Sequence, residues 1–455
     1  MAKPIPKMLL IPREISLNHI VSRVIPAFET HGDVFQLVLP VPLKIFCLRK
    51  PDHIKAVSAR EECATRKPPH LIPKADYFMG NGVYNDLGGN EWKAKRRVLN
   101  PAFTMESSIR VSERLPGCID RMLSRWGAGP ETPRDLYAEL QRMVLDFGAA
   151  ALFSTRFEDD ELGWIVEATT FSETMFTTLT PYWIPTPSNL KFQRIKARYH
   201  AIMDRIISAR RMSGDHYPDM LRVLLDTPNL TTNRPHTDEE IKSQILSAYF
   251  GTPAVTLTIL WGLFFLSTRP EMLRKLRIEL NSVLGSRSPT AQDLRSLPYL
   301  GMIIDEVLRY YPSFWGSLRY AEQPIEIDGY AFPAKSHFAM IRYAAHRHPD
   351  HWENPDAFIP ERHEQRNACP HALLPFGLGP RTCLGNSLAR IVAPLAVASI
   401  IQNFDIRFQS EDVRLKYGFG IYPANRMWGT VRPIKSAAAD PEASLKEPVR
   451  AGQHA

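Results

Sequence analysis

The sequence predicts a mainly α-helical chain with small β-sheets, folded as a single large unit. Three observations carry this. Helical periodicity dominates from about residue 130 to 300. Short strand patterns bounded by turn residues appear only towards the two ends, at 33–49, at 324–342 and before Pro433. No internal repeat and no linker interrupts the 455 residues. The composition, 44% apolar and 23% charged, excludes a disordered or fibrous chain. The 38 Pro and 24 Gly show no period, so they point to irregular connections rather than collagen.

In chain order, 33–49 reads as two short strands around Pro40 and Pro42, and Asp52 to Arg60 as a helix preceded by Pro51. Helices are expected over Arg134–Leu152, Leu190–Arg211, Tyr217–Leu225, Asp238–Leu266, Glu271–Leu284 and Ala291–Tyr311. Thr237 and Glu240 form a capping box for the longest, which at 1.5 Å per residue runs roughly 45 Å and crosses the molecule. A Pro-rich coil follows at 349–380, then a helix after Gly385. The boundaries expected are an N-terminal segment 1–29, a domain 30–433 and a patternless tail 434–455.

Ser243 to Thr268 contains no charged residue and is long enough to span a bilayer. Gln244, Pro253 and three threonines dilute it and no second span accompanies it, so it reads as the buried helix of a large protein. The apolar run Met8 to Ile11 is too short for a signal peptide or anchor. Cys47, Cys63, Cys118, Cys369 and Cys383 are odd in number and lack C-x-x-C spacing, which argues against a disulfide scaffold or structural zinc and fits a reducing cytoplasm.

The most informative segment is Phe376-Gly-Leu-Gly-Pro-Arg-Thr-Cys383-Leu-Gly385, directly before a helix. Glycines at 377, 379 and 385 permit backbone angles and approaches that a side chain blocks. A sulfur at a helix N-terminus, with Arg381 nearby, is expected to favour thiolate. The bland alternative is a buried Cys acting as a small hydrophobe.

This segment resembles the haem-binding loop of cytochromes P450, F-x-x-G-x-R-x-C-x-G, at every fixed position. The resemblance runs from about 30 to 433 and is to the soluble, bacterial-type members. It implies the P450 fold, with the long helix over haem b (iron protoporphyrin IX) and Cys383 as the metal ligand. Phe376 would pack beside that ligand, and Arg381 would pair with a propionate. Trp92 and Arg96 match the family's W-x-x-x-R helix and imply further propionate contacts, as does Arg319. Glu306, Arg309 and Arg362 match a buried structural triad. His346 and His348, tempting as metal ligands, are read as structural.

One departure stands out. The family's G-x-(D/E)-T falls on Gly251-Thr252-Pro253-Ala254, so Pro253 replaces the acid and Ala254 the alcohol. No Asp or Glu lies between Glu240 and Glu271. Pro253 removes an N–H and displaces the Tyr249 carbonyl, distorting the helix. Two readings stay open. Either Pro253 is a kink and water, Thr252 or Thr256 carries protons in a monooxygenase, or the chemistry is different: oxidative coupling or rearrangement, dehydration or isomerisation, or peroxide-driven oxidation.

By family position, the substrate pocket draws on Phe78, Tyr249, Phe250, Phe314 and Phe419, which suits a bulky apolar small molecule. The net charge of +8 includes Arg362, Arg366, Arg381 and Arg390 about the cysteine loop, a basic face for an acidic ferredoxin- or flavodoxin-type electron donor. The positive residues are scattered without a nucleic-acid motif, so nucleic acid is not an expected partner. The expectation is a cytoplasmic monomer that does not enter a membrane.

Overall fold

A computed structural model of the chain describes residues 2–10, 17–39, 43–60, 67, 73–127, 132–176, 178, 180–364, 371–418 and 420–434. Pro40, Pro42, Cys63, Arg366, Cys369, Phe419 and the tail from 435 lie outside the described residues.

The molecule is mostly helical. Its core is built round the helix Thr252–Ser267, in which every residue from Thr256 to Leu266 is buried. This helix packs against Leu136–Phe153 on one side and Asn386–Asn403 on the other. Leu260, Trp261, Leu140, Ile303 and Val397 share one hydrophobic cluster there, each large side chain contributing roughly 1.5–3 kcal/mol by burial. Near Gly262 the approach is close, since a Cβ would lie 3.4 Å from Val397 Cγ2. A second cluster joins Pro73–Met79, Asp159–Phe176, Pro187–Ser213 and Asp238–Tyr249. Asp238–Ser267 is the stretch among the described residues long and apolar enough to cross a membrane, and most of it is buried in this core.

The sheets are small. Lys7–Leu9, Val34–Val38, Ile45–Leu48, Ser336–Met340 and Ser317–Ala321 lie side by side in that order. The first pairs in parallel with Val34–Val38, so the segment before residue 30 belongs to the same sheet as the domain that follows it. Arg319 pairs with Phe338, and Cys47 with Ala339. Phe404–Phe408, Trp428–Pro433 and Arg134–Asp135 form a three-stranded sheet, and Leu415–Tyr417 pairs with Ile421–Pro423 as a hairpin.

The capping box expected at Thr237 is complete: Glu240 N–H donates to Thr237 Oγ1 and Thr237 N–H to Glu240 Oε2. The single helix expected over Asp238–Leu266 is instead two segments, Asp238–Tyr249 and Thr252–Ser267, broken at Phe250-Gly251. The physical reason is Pro253. It sits in the first turn of the second segment, where a missing N–H costs nothing. Likewise Ala291–Tyr311 is a 3-10 turn, Asp293–Ser296, and then a helix, Pro298–Tyr310, that restarts at Pro298. Among the described residues six helices lie outside those expected: Leu17–His31, Pro73–Met79, Met105–Ser112, Leu115–Gly127, Asp159–Phe176 and the short Arg342–Ala345.

Candidate active site

The cysteine loop bends tightly before the helix Asn386–Asn403. Cys383 N–H donates to the Phe376 carbonyl at 2.9 Å and Thr382 N–H to Gly379 at 3.0 Å, closing the turn. Gly377 and Gly379 have φ of +75° and +71°. At Gly379 a Cβ would also fall 2.3 Å from the Ser58 carbonyl oxygen, so Gly379→Ala is expected to cost at least ~2 kcal/mol, read as a lowered thermal midpoint. Gly385 differs from the expectation: its φ is −82°. Its contribution is an N–H aimed at the Cys383 sulfur, and a Cβ there would meet no protein atom within 4 Å.

The Cys383 side chain is reachable from one side, although protein encloses the rest. That burial pushes its thiol above the usual range. The Gly385 N–H and the charges of Arg96 and Arg342 pull the other way without overcoming it. The thiolate expected from the helix end and Arg381 is therefore not favoured by the protein alone, because desolvation outweighs the dipole. Arg342 was not singled out in the sequence. It is buried, donates to the Gly316 carbonyl at 2.7 Å, and approaches the Gly377 position at 3.7 Å. A lone basic residue after the apolar strand Ser336–Met340 was its only signal.

Beside the loop, cations gather. The Arg381 guanidinium lies 4.4 Å from the Trp92 ring centroid and donates to the Asp86 carbonyl at 2.7 Å. Arg319 and Arg96 act on Arg381 as like charges and, after burial, help hold it below its usual range, with Asp86 opposing. Burial, then Arg381 and Arg319, hold Lys67 far below its own. Asp86 already pairs with Lys95 at 2.7 Å. The Trp92 indole N–H donates to Val83 at 3.2 Å. The cluster thus carries surplus positive charge facing the enclosed side of the loop, which suits a ligand with two carboxylates.

Glu306, Arg309 and Arg362 come together. Arg309 donates to both Glu306 oxygens at 2.8 Å and Arg362 Nε to one at 3.1 Å. Sequence reasoning missed a fourth member, His363, whose Nε2 lies 2.8 Å from Glu306 Oε2. Both ring nitrogens of His346 are engaged, by the Arg309 carbonyl and the Leu374 N–H. His348 lies 3.2 Å from Asp33.

The helix break at Phe250-Gly251 shows what Pro253 does. The Tyr249 carbonyl it displaces accepts from Thr252 Oγ1 at 2.6 Å. The Ala254 carbonyl accepts from Ser313 Oγ at 2.9 Å and Thr258 Oγ1 at 3.0 Å. Pro253 and Thr256 turn into the protein, and Thr256 Oγ1 is buried without a partner. Gly251, Thr252, Ala254 and Val255 keep accessible surface. Thr256 is therefore not placed to pass protons, because it sits on the packed face.

Of the pocket aromatics, Tyr249 is a core residue: it is 2% exposed and its hydroxyl donates to Leu145 at 3.2 Å. Phe78 is fully buried against Phe176, Phe192, Tyr199 and Phe250. Phe250 and Phe314 are half-buried.

A family model described as Cytochrome P450 matches residues 2–423. The chain belongs to the cytochrome P450 family. Among relatives, it is 27% identical over 391 residues to cyclooctat-9-en-7-ol 5-monooxygenase of Streptomyces melanosporofaciens, covering 84% of each chain. It is 31% identical over 362 residues to cytochrome P450 3A2 of Rattus norvegicus, covering 72% of this chain and 70% of that one. The crystal structure of the cytochrome P450DA heme domain superposes with a TM-score of 0.85 at 23% identity, over 96% of this chain and 99% of that one. This P450 is an oxidoreductase of the monooxygenase family, and its cofactor is haem b held by a cysteine thiolate. The residues fit that group: one accessible sulfur with an N–H on it, open space at Gly385, and a surplus of cations for two propionates.

Of the basic face expected, Arg366 lies outside the described residues and the other three are placed as follows. Arg362 is held in the Glu306 network, Arg381 lies under Trp92, and Arg390 pairs with Asp305 at 3.0 Å. Arg390 stays exposed despite that pair, and Lys93 and Arg97, exposed as well, line with Trp92, Arg96, Asn100 and Pro380 a cleft of ≈ 340 Å³.

Proposed function

We propose that this P450 inserts one oxygen atom from dioxygen into a bulky, largely apolar small molecule, with electrons from a separate ferredoxin- or flavodoxin-type protein. The observation that carries the reading is Cys383, set at the start of Asn386–Asn403 with the Gly385 N–H on its sulfur. Cys383 is the ligand in this reading, and Arg96, Arg319 and Arg381 hold the propionates; Trp92, expected to do so as well, instead gives its one N–H to Val83 and backs the Arg381 guanidinium. The bound haem supplies dioxygen activation. The protein supplies position, charge and exclusion of water. Thr252, at the accessible side of the break, is the hydroxyl that passes protons, its own hydrogen resting on the Tyr249 carbonyl. The Streptomyces relative, which acts on cyclooctat-9-en-7-ol by its name, supports a role in secondary metabolism.

The donor meets the cleft beside Lys93 and Arg97 in this proposal, and the protein works as a cytoplasmic monomer. Lys93→Glu with Arg97→Glu is expected to slow donor-supported turnover at least tenfold at low salt, to flatten its salt dependence, and to leave peroxide-supported turnover unchanged. The deciding assay for the whole reading is turnover with donor and dioxygen, with peroxide, and with neither. Product formed without donor or dioxygen overturns it.

A further inference from the structure

One cation beside the cysteine loop lacks a carboxylate partner among the described residues. Arg342 opens the short helix Arg342–Ala345, directly after the strand Ser336–Met340 and the single residue Ile341. It is 7% exposed. Its Nη2 donates to the Gly316 carbonyl at 2.7 Å, while its Nε is buried without a partner. The backbone fixes where the guanidinium sits. Tyr343 N–H donates to the Trp315 carbonyl at 3.0 Å, and His346 N–H to the Arg342 carbonyl at 2.8 Å. Ser317 pairs with Met340 in the sheet. Gly316 lies so close to that strand that a Cβ would fall 2.7 Å from the Met340 carbonyl oxygen. This clamp leaves Arg342 Nη1 beside the cysteine loop, 3.7 Å from the place a Cβ would take on Gly377. Gly377 follows Phe376, whose carbonyl accepts the Cys383 N–H. Arg342 therefore stands against the backbone turn that carries the sulfur.

A buried cation without a carboxylate is costly to a fold unless another negative charge answers it. Burial brings this guanidinium down to about 10, with Tyr84 and Cys383 opposing, so it keeps its charge at neutral pH. We propose that Arg342 is a positioning residue that acts through the Cys383 sulfur, its fixed positive charge easing the transfer of an electron to the haem iron. The assignment rests on the haem-thiolate reading above and adds a control on its electron supply. A thiolate pushes electron density onto iron, and a cation beside the loop draws part of it back. One electron then passes from the donor protein, which is oxidised, to ferric iron, which becomes ferrous. Arg342 makes no bond in this step and moves no proton. The competing role is structural, a clamp for Gly316 and nothing more.

The test compares haem-loaded wild type with Arg342→Lys and Arg342→Gln. Both variants keep a donor group for Gly316, and only the lysine keeps the charge. The ferric/ferrous midpoint is read by spectroelectrochemical titration, with the ~450 nm carbon monoxide band as the check that sulfur ligation persists. Arg342→Gln is expected to shift the electron equilibrium about tenfold against the ferrous form, a midpoint lowered by about 59 mV. Arg342→Lys should stay closer to wild type than to Arg342→Gln. Arg342→Met, a second neutral variant, carries the same expectation as Arg342→Gln. Equal midpoints in wild type and the neutral variants overturn the proposal. The same drop in all three variants does so too, because it marks the clamp alone. Loss of haem from both neutral variants also overturns it, since the charge would then serve retention and not potential. Absence of the ~450 nm band from wild-type protein would sink the underlying haem-thiolate reading instead, and so the two failures are distinguishable.

Discussion

Cys383→Ala is expected to remove the ~450 nm band of the reduced, carbon monoxide-bound protein and to lower turnover well beyond the 10–100-fold typical of changes around a metal ligand. The fold itself should survive. The turn is held by backbone groups, Cys383 N–H to Phe376 and Thr382 N–H to Gly379, and alanine keeps both. Three readouts check it: the difference spectrum, haem retained on gel filtration, and the thermal midpoint of haem-free protein. Haem held with an unaltered spectrum and undiminished turnover would refute the role given to this sulfur.

Glu306→Ala is expected to destabilise the protein by about 3–5 kcal/mol, because it strands buried Arg309 beside Arg362 and His363. Denaturant titration measures this. The same network sets an acid limit. Burial pushes the Glu306 carboxyl up, but Arg309, His363 and the Ile359 N–H outweigh it and bring it down to about 2. A group held lower in the folded state contributes stability above its unfolded value, near 4.5, and loses it as pH falls through the folded one. The contribution is about 3 kcal/mol, so wild type should lose that stability between about pH 4.5 and 2 and Glu306→Gln should show a much flatter acid limb over the same range. An equally steep limb in Glu306→Gln would place the acid sensitivity elsewhere.

The cysteine loop, the Glu306 triad and the capping box at Thr237 were legible because each is local: fixed spacings of residue types whose chemistry is short-range. Asp159–Phe176 was not, since its Thr and β-branched content weakens helical propensity and packing on Leu136–Phe153 makes up the deficit. The early helices hide behind prolines, Pro26 within Leu17–His31 and Pro116 in the first turn of Leu115–Gly127. The substrate side was least legible. Tyr249 and Phe250 are neighbours, yet one turns into the core and the other stays half-buried at the break. Arg342 likewise becomes notable only once the loop at Gly377 folds over it.

The gap at Phe250-Gly251 is written into a ring closure of the chain itself. A hydrogen bond opened by a ligand closes again when the ligand leaves, but a pyrrolidine nitrogen has no hydrogen to give back. The notch at this break is therefore a permanent fixture, present at any temperature or acidity at which the protein stays folded, and arriving molecules find it already shaped.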